Sequence, residues 1–510
     1  MVVAAHPLAA DAGYAILERG GSALDAAIAV QMVLGLVEPE SSGIGGGAFL
    51  LHWSQKEKKL RSYDGRETAP AAATANLFVD EKGRPLAFAD AVVSGRSVGV
   101  PGVLRMLELA HKRHGKLPWA TLFEPAIALA EQGFTVSPRL RMQLEKDPFL
   151  KNDAAAAKLY YASPLSANFV LKNPEYGRTL REIARRGADA FYQGRLTADM
   201  VRAVRSHARP GTLAAQDFAD YRALEREPVC APHREWRVCS MGPPSSGGIA
   251  LLQILGILGR TDFARAPPRS ALAVHYFAEA GRLAYADRAR YLGDPDFVPV
   301  PIRKLLREDY LEKQARRIGE KSMRLAVRAD TEVAGTSHLS IVDAAGDAVA
   351  MTTTIEATFG SRILVDGFLL NNQLTDFDFV PGTPNQAAPG KRPRSSLAPT
   401  MVFSGERLDI VIGSPGGPNI INYVAKSLVG ALDWGMDLQA AVALPNFGSR
   451  NGPTLLEKDS AYESFRAELE ARNHVVETPA LTSGLHGIER VPGGWRAAVD
   501  PRREGAARGD

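Results

Sequence analysis

Cysteine is nearly absent: among 510 residues only Cys230 and Cys239 occur. Neither belongs to a Cys-x-x-Cys pair and no second pair accompanies them, so no zinc site or disulfide framework is indicated, and both are expected to be plain thiols. No run of about 18 apolar residues exists, and the opening MVVAAHPLAADAGYAILERGG has neither a charged leader nor a long apolar stretch. No membrane-spanning segment is expected, and the chain as written is expected to stay in the cytoplasm. A charge excess is missing too. The 61 Lys and Arg against 57 Asp and Glu leave +4, scattered apart from a short basic tail at Pro501-Arg502-Arg503. So even a balance gives no nucleic-acid footprint. Internal repeats at solenoid periods and separating linkers are lacking as well, so the length is read as one interwoven unit.

The 45% hydrophobic and 23% charged composition is that of a globular chain with ample core. A helix is expected over residues 7 to 21, entered through Pro7 and stopped by Gly20-Gly21, and Ser22 then caps a second, SALDAAIAVQMVLGLVEP. The second is apolar on nearly every side, which predicts burial. After it, SSGIGGGAFLLHW runs from glycines into a strand. A phosphate cradle needs the order strand, glycines, helix, so dinucleotide binding is not indicated. Residues 100 to about 330 are dominated by helical patterns such as PGVLRMLELAHKRHG and SALAVHYFAEAGRLAYADRARYL, in which Tyr276, Phe277 and Tyr285 read as core. From residue 336 short strands take over, and HLSIVDAAGDAVAMTTT reads as a hairpin turning at Gly346-Asp347. Helix-rich then strand-rich portions with buried strands imply a layered α/β fold.

The strand that opens this second portion begins with Gly335-Thr336. A threonine hydroxyl attacks poorly unless a base lies within hydrogen-bond reach, and one such base is the residue's own α-amine, free only if the preceding peptide bond is cut. That amine has a reference pKa of about 7.7–8.0 and accepts a proton near neutral pH. Gly335 offers little steric obstruction to attack on its carbonyl. Taken alone the pair is equally a turn glycine and a strand-start threonine.

The surrounding motifs weigh against that plainer reading. GTSHLSIVD, TTTIEATFGS, LLNNQLTDF, GKRPRSSLAPT and GSPGG, preceded by HPLAADAG, GGSALDAAIA, EPESSGIGGG, GRETAP and PPSSGG, resemble in order and spacing the γ-glutamyltranspeptidase family of N-terminal-nucleophile hydrolases. The likeness covers nearly the whole chain. It implies a four-layer αββα sandwich with extra helices in the N-terminal portion, and self-cleavage between Gly335 and Thr336 into a large fragment, 1–335, and a small catalytic one, 336–510, held together as a heterodimer. The implied activity is that of a γ-glutamyltransferase and glutathione hydrolase working through a γ-glutamyl ester on Thr336, which water or an amino acid or peptide acceptor resolves. No metal or organic cofactor is implied. The same fold also carries cephalosporin (glutaryl) acylases and poly-γ-glutamate depolymerases, and an unprocessed binding homologue is the remaining alternative.

Site residues carry over by motif. Gly416 and Gly417 match the oxyanion hole, although a type II turn explains the glycines equally well. Arg66 matches the arginine whose planar fork holds the substrate α-carboxylate, helped by the hydroxyls of Ser395 and Ser396. Asp376, with Gln373 beside it, matches the partner of the α-ammonium. Thr354 matches a threonine that bonds the nucleophile. Glu356 departs from the pattern, standing where family members commonly carry an asparagine that binds the amino-acid head. The segment 377–394, stiffened by Pro381, Pro384 and Pro389, looks too short for the lid some members carry, so large leaving groups and a larger share of hydrolysis are expected.

Overall fold

The computed structural model describes residues 1–323 and 335–510. Two antiparallel sheets form its centre. The first comprises β1 (Val2–Ala4), β2 (Gly47–Ser54), β3 (Lys59–Gly65), β4 (Leu224–Arg226), β7 (Gly335–Val342), β8 (Ala348–Glu356) and β13 (Ala506–Arg508), in the spatial order β13-β1-β7-β8-β2-β3-β4. The second contains β5 (Val229–His233), β6 (Trp236–Ser240), β9 (Thr400–Ser404), β10 (Arg407–Gly413), β11 (His486–Val491) and β12 (Gly494–Val499), in the order β12-β11-β10-β9-β6-β5.

Side-chain alternation along a strand explains how both faces of each sheet are buried. Val3, Trp53, Val342 and Ala350 of the first sheet meet Met401, Phe403, Val411 and Ile488 of the second in one core between the sheets. Their neighbours point the other way. Leu339, Ile341, Val349 and Met351 pack under helices α1 (Pro7–Glu18) and α2 (Ala23–Val37). Val402, Ile410 and Ile412 pack against α3 (Gly247–Leu258), α4 (Ala271–Tyr291) and α5 (Ile420–Leu428). The result is the four-layer αββα sandwich. Every residue of α2 is buried, and its start is fixed by a reciprocal cap in which Ser22 Oγ accepts from the Asp25 amide at 3.1 Å while the Ser22 amide donates to Asp25 Oδ2 at 2.9 Å.

The hairpin at Gly346-Asp347, the helix entered at Pro7 and the glycine-led strand at Gly47 lie where the sequence places them. The cysteine expectation is overturned. Cys230 and Cys239 are not plain thiols but a disulfide, because β5 and β6 pair antiparallel and set them directly opposite each other with Cα atoms 4.1 Å apart. In the basic tail, Arg502 pairs with Glu457 at 2.7 Å and Asp500 at 3.0 Å, and Arg503 donates to the Thr336 carbonyl at 3.2 Å. Segment 377–394 packs through Phe377 and Ala387 against Phe78, Ala91 and Leu374. Among the described residues no helix is long and apolar enough to cross a membrane.

Candidate functional site

The site grows from the start of β7. Thr336 pairs directly with Thr354 across the β7–β8 ladder, and a bulge just beyond puts Glu356 opposite Gly335 with a positive φ of 79°. Thr354 Oγ1 thereby becomes the centre of a small network. It donates to the Gly335 carbonyl at 2.6 Å, accepts from the Thr336 hydroxyl at 3.2 Å and accepts from the Glu356 amide at 2.8 Å. One side chain thus polarises the carbonyl before the threonine and also orients the threonine hydroxyl. Glu356 is held in turn by the Asn372 side-chain amide, whose oxygen accepts from the Ala357 amide at 2.9 Å.

The two glycines after β10 take φ values of 136° and 55°, a region side chains disfavour. A Cβ on Gly416 would lie 2.4 Å from Tyr423 Cε2, so only glycine lets the backbone run this close to the ring. This conformation leaves the backbone amides of Gly416 and Gly417 free of bulky neighbours on their own residues, as an oxyanion hole requires. Tyr285 of α4 donates to the Pro418 carbonyl just downstream, so it is core with a polar handle.

Arg66 follows β3 and is almost fully buried at 1% exposure. Its Nε donates to the Pro393 carbonyl at 3.1 Å, and its Nη2 donates to the Arg394 carbonyl at 3.2 Å and to Asp376. Gln373 Nε2 donates to the same carboxylate at 2.6 Å. Asp376 is therefore tied to Arg66 and Gln373 together. Glu67, next to Arg66, is fully buried, and neither carboxyl oxygen has a hydrogen-bond partner. Burial pushes its pKa up to about 8, with the Arg66 cation acting against the rise.

The serines are fixed from the PPSSGG turn. The Ser395 amide donates to the Pro244 carbonyl at 3.0 Å, the Ser246 amide donates to the Ser395 carbonyl at 2.8 Å, and Arg288 of α4 reaches Ser246 Oγ at 2.8 Å and Ser396 Oγ at 2.9 Å. Because Arg288 occupies a lone pair of Ser396, the hydroxyl hydrogen of Ser396 is left to donate elsewhere.

Arg66, Thr336, Thr354, Glu356, Gln373, Asp376, Ser395, Ser396 and Gly417 line one cavity, and Gly416 faces the neighbouring pocket. The structure thus brings the residues singled out by motif to one cavity, except Gly416, which lies on the adjoining pocket. In the continuous chain this cavity is about 20 Å³, room for about one water and too little for an amino-acid-sized ligand. Sequence reasoning missed Asn372, Glu67, Arg288 and Arg503. The first two adjoin residues already singled out, whereas Arg288 lies in a helix read as core and Arg503 in the short basic tail, to which no role was given. Elsewhere His275, Glu279 and His474 come within metal-ligand reach of one another, but their atoms are engaged. His275 Nδ1 bonds His474 Nε2 at 2.8 Å, His474 Nδ1 bonds Thr454 Oγ1 at 2.7 Å, and Arg282 and Ser322 donate to Glu279 at 2.8 and 2.7 Å. The trio reads as a hydrogen-bonded core cluster.

Comparison with known proteins gives consistent findings. Residues 9–509 match the family model described as Gamma-glutamyltranspeptidase. The chain is 34% identical to the glutathione hydrolase proenzyme of Bacillus subtilis (strain 168), over 100% of this chain and 91% of that protein. It is 36% identical to the acylase ACY 1 proenzyme of Pseudomonas sp. (strain SE83), over 98% and 93%. Its fold superposes on the crystal structure of cephalosporin acylase from Bacillus halodurans with a TM-score of 0.87 at 27% identity, covering 100% of this chain and 96% of that one.

Proposed function

The chain belongs to the γ-glutamyltranspeptidase family, and from that premise we propose that it is an autoprocessed γ-glutamyl hydrolase and transferase acting on glutathione or related γ-glutamyl amides. The observation that carries this reading is the Thr354 hydroxyl, set between the Thr336 nucleophile and the Gly335 carbonyl. In processing, Thr336 Oγ attacks the Gly335 carbonyl carbon. The ester C–O bond forms, the peptide C–N bond breaks, and the released nitrogen takes the hydroxyl proton to become the α-amine of Thr336. Water then hydrolyses the ester. Fragments 1–335 and 336–510 stay joined, since β7 lies between β1 and β8 and β13 lies beyond β1.

In turnover the new amine serves as base and Thr336 Oγ attacks the γ-carbonyl of the substrate. The amides of Gly416 and Gly417 receive the developing oxyanion, each such donor typically worth about 2.7–4 kcal/mol. Arg66 and the Ser395 and Ser396 hydroxyls take the α-carboxylate, while Asp376 and Gln373, with Glu356 nearby, take the α-ammonium. The small cavity of the uncut chain supports processing before binding: departure of the Gly335 end makes room where the acyl group enters.

A second reading has its own support. Asp376 is already satisfied by Arg66 and Gln373, so an acyl group with a carboxylate but no ammonium, such as glutaryl, fits the same residues. Two experiments separate the possibilities. A denaturing gel of wild type and Thr336→Ala should show two fragments for the first and one chain for the second, and two fragments from the variant would sink the cleavage assignment. Comparing kcat/KM for glutathione with that for a glutaryl amide decides the acyl group. For location, the Cys230–Cys239 pair supports an oxidising compartment over the cytoplasm first expected.

A further inference from the structure

The two ends of the Cys230–Cys239 disulfide sit in unlike surroundings. Cys230 is exposed on β5, the outer strand of its sheet, whereas Cys239 on β6 is fully buried and packs with Met401 and Phe403 in the core between the sheets. A thiolate arriving from solvent therefore reaches only the Cys230 sulfur, and Cys239 is the sulfur that must leave.

The leaving sulfur has a cation beside it. Arg237 lies two residues earlier on the same face of β6, and its Nη1 is 3.7 Å from Cys239 Sγ. The guanidinium lies over the Phe403 ring, 4.7 Å from its centre, and forms no ion pair among the described residues. Such a neighbour stabilises a cysteine thiolate, and the more stable the departing thiolate, the faster the exchange.

The hairpin has other ties besides this bond. β5 and β6 are paired at five positions, β6 pairs with β9 on its far side, and Asp433 holds the turn through His233 Nε2 at 2.8 Å and Arg234 Nε at 2.9 Å. Opening the disulfide thus leaves the two strands in place, with the sulfurs still facing each other.

We propose that Cys230–Cys239 is a thiol-exchange site for small anionic thiols, glutathione-like peptides included, and that Cys230 carries the mixed disulfide. The sulfur of the incoming thiolate bonds to Cys230 Sγ, the Cys230–Cys239 bond breaks, and its electron pair departs on Cys239 as a thiolate beside Arg237. Cys239 can then attack Cys230 Sγ, which restores the bond and expels the thiol. Alternatively a second thiolate bonds to the sulfur of the first and releases Cys230, so that two small thiols end as one disulfide and the protein gains two thiols. The uncompensated charge of Arg237 also draws an anionic thiol in preference to a cationic one. None of these steps uses Thr336, so the site stands whichever acyl group the enzyme takes.

The test opens the folded protein with 2-mercaptoethanesulfonate or with cysteamine, neither of which contains an amide. Each reaction is stopped with acid, the protein is unfolded and alkylated, and the modified peptides are identified by mass. The early product should carry the small thiol on Cys230 and the alkyl group on Cys239. Normalised to the rates of the two reagents on a free small disulfide, the anionic one should open the bond about threefold faster at low salt, and less so at high salt. Arg237→Gln should remove that preference and slow both reagents, while Arg237→Lys, which keeps the charge, should retain it. A mixed disulfide on Cys239, or rates untouched by Arg237→Gln, would overturn the proposal. So would a bond that neither reagent opens in the folded protein although both open it in urea.

Discussion

Replacing Thr354 with valine keeps the volume of the side chain and removes its oxygen. That oxygen makes three hydrogen bonds, to the Gly335 carbonyl at 2.6 Å and from Thr336 Oγ1 and the Glu356 amide at 3.2 and 2.8 Å. Two effects separate. On stability, the valine strands a buried carbonyl and a buried amide at about 1–3 kcal/mol each, a tolerable fraction of a typical stability of about 5–15 kcal/mol. On processing, the carbonyl that gains negative charge during attack loses a donor, at about 2.7–4 kcal/mol or a factor of about 10²–10³ in rate. The assay is the disappearance of the 54.8 kDa precursor on denaturing gels over time after purification. Thr354→Ser, which restores the oxygen, should process close to the wild-type rate. If Thr354→Val processes within about tenfold of wild type, Thr354 is a spectator and the carbonyl is activated by another group.

Three further outcomes are expected. Glu67 has a folded pKa raised to about 8, so between its unfolded value and 8 the folded state binds the extra proton and stability falls as pH rises. Glu67→Gln should therefore gain Tm relative to wild type progressively from about pH 4.5 to 8, and a gap independent of pH would contradict the assignment. Glu356→Asn should change KM for glutathione more than kcat, because the amino-acid head is held alike in ground and transition states; unchanged KM would mean that Glu356 only braces Asn372. Thiol titration of denatured protein should find no free thiol before reductant and two after it, and two thiols before reductant would contradict the Cys230–Cys239 pairing.

The parts of the site legible in the sequence were those where one residue type answers one chemical demand. Arg66, Thr336, Thr354, Gln373, Asp376 and the serines come together around one cavity as their local motifs suggested, and Gly416 needs the absence of a Cβ against Tyr423. What escaped depends on register and on partners distant in the chain. Cys230 and Cys239 became visible as a pair only once β5 and β6 set them face to face. Arg288 looks like one of several charges on a helix read as core until Ser246 and Ser396 are brought to it from 42 and 108 residues away. Arg503 likewise reads as tail charge until its bond to the Thr336 carbonyl is seen. The helix-rich and strand-rich portions were legible from periodicity, but β4, β5 and β6 inside the helical portion were too short to break its pattern.

The order of the first sheet also bears on inheritance. With β1 inserted between β7 and β13, and β2 laid against β8, the two products of the proposed cut at Gly335 would be threaded through each other's hydrogen-bond ladders. A partner could be exchanged only by unpairing strands buried on both faces, which amounts to unfolding. Each working molecule must then descend from a single ribosomal product, and a damaged small fragment cannot be rescued by a sound one made from another gene copy. Two alleles, one defective in each half, should fail to complement in the same cell.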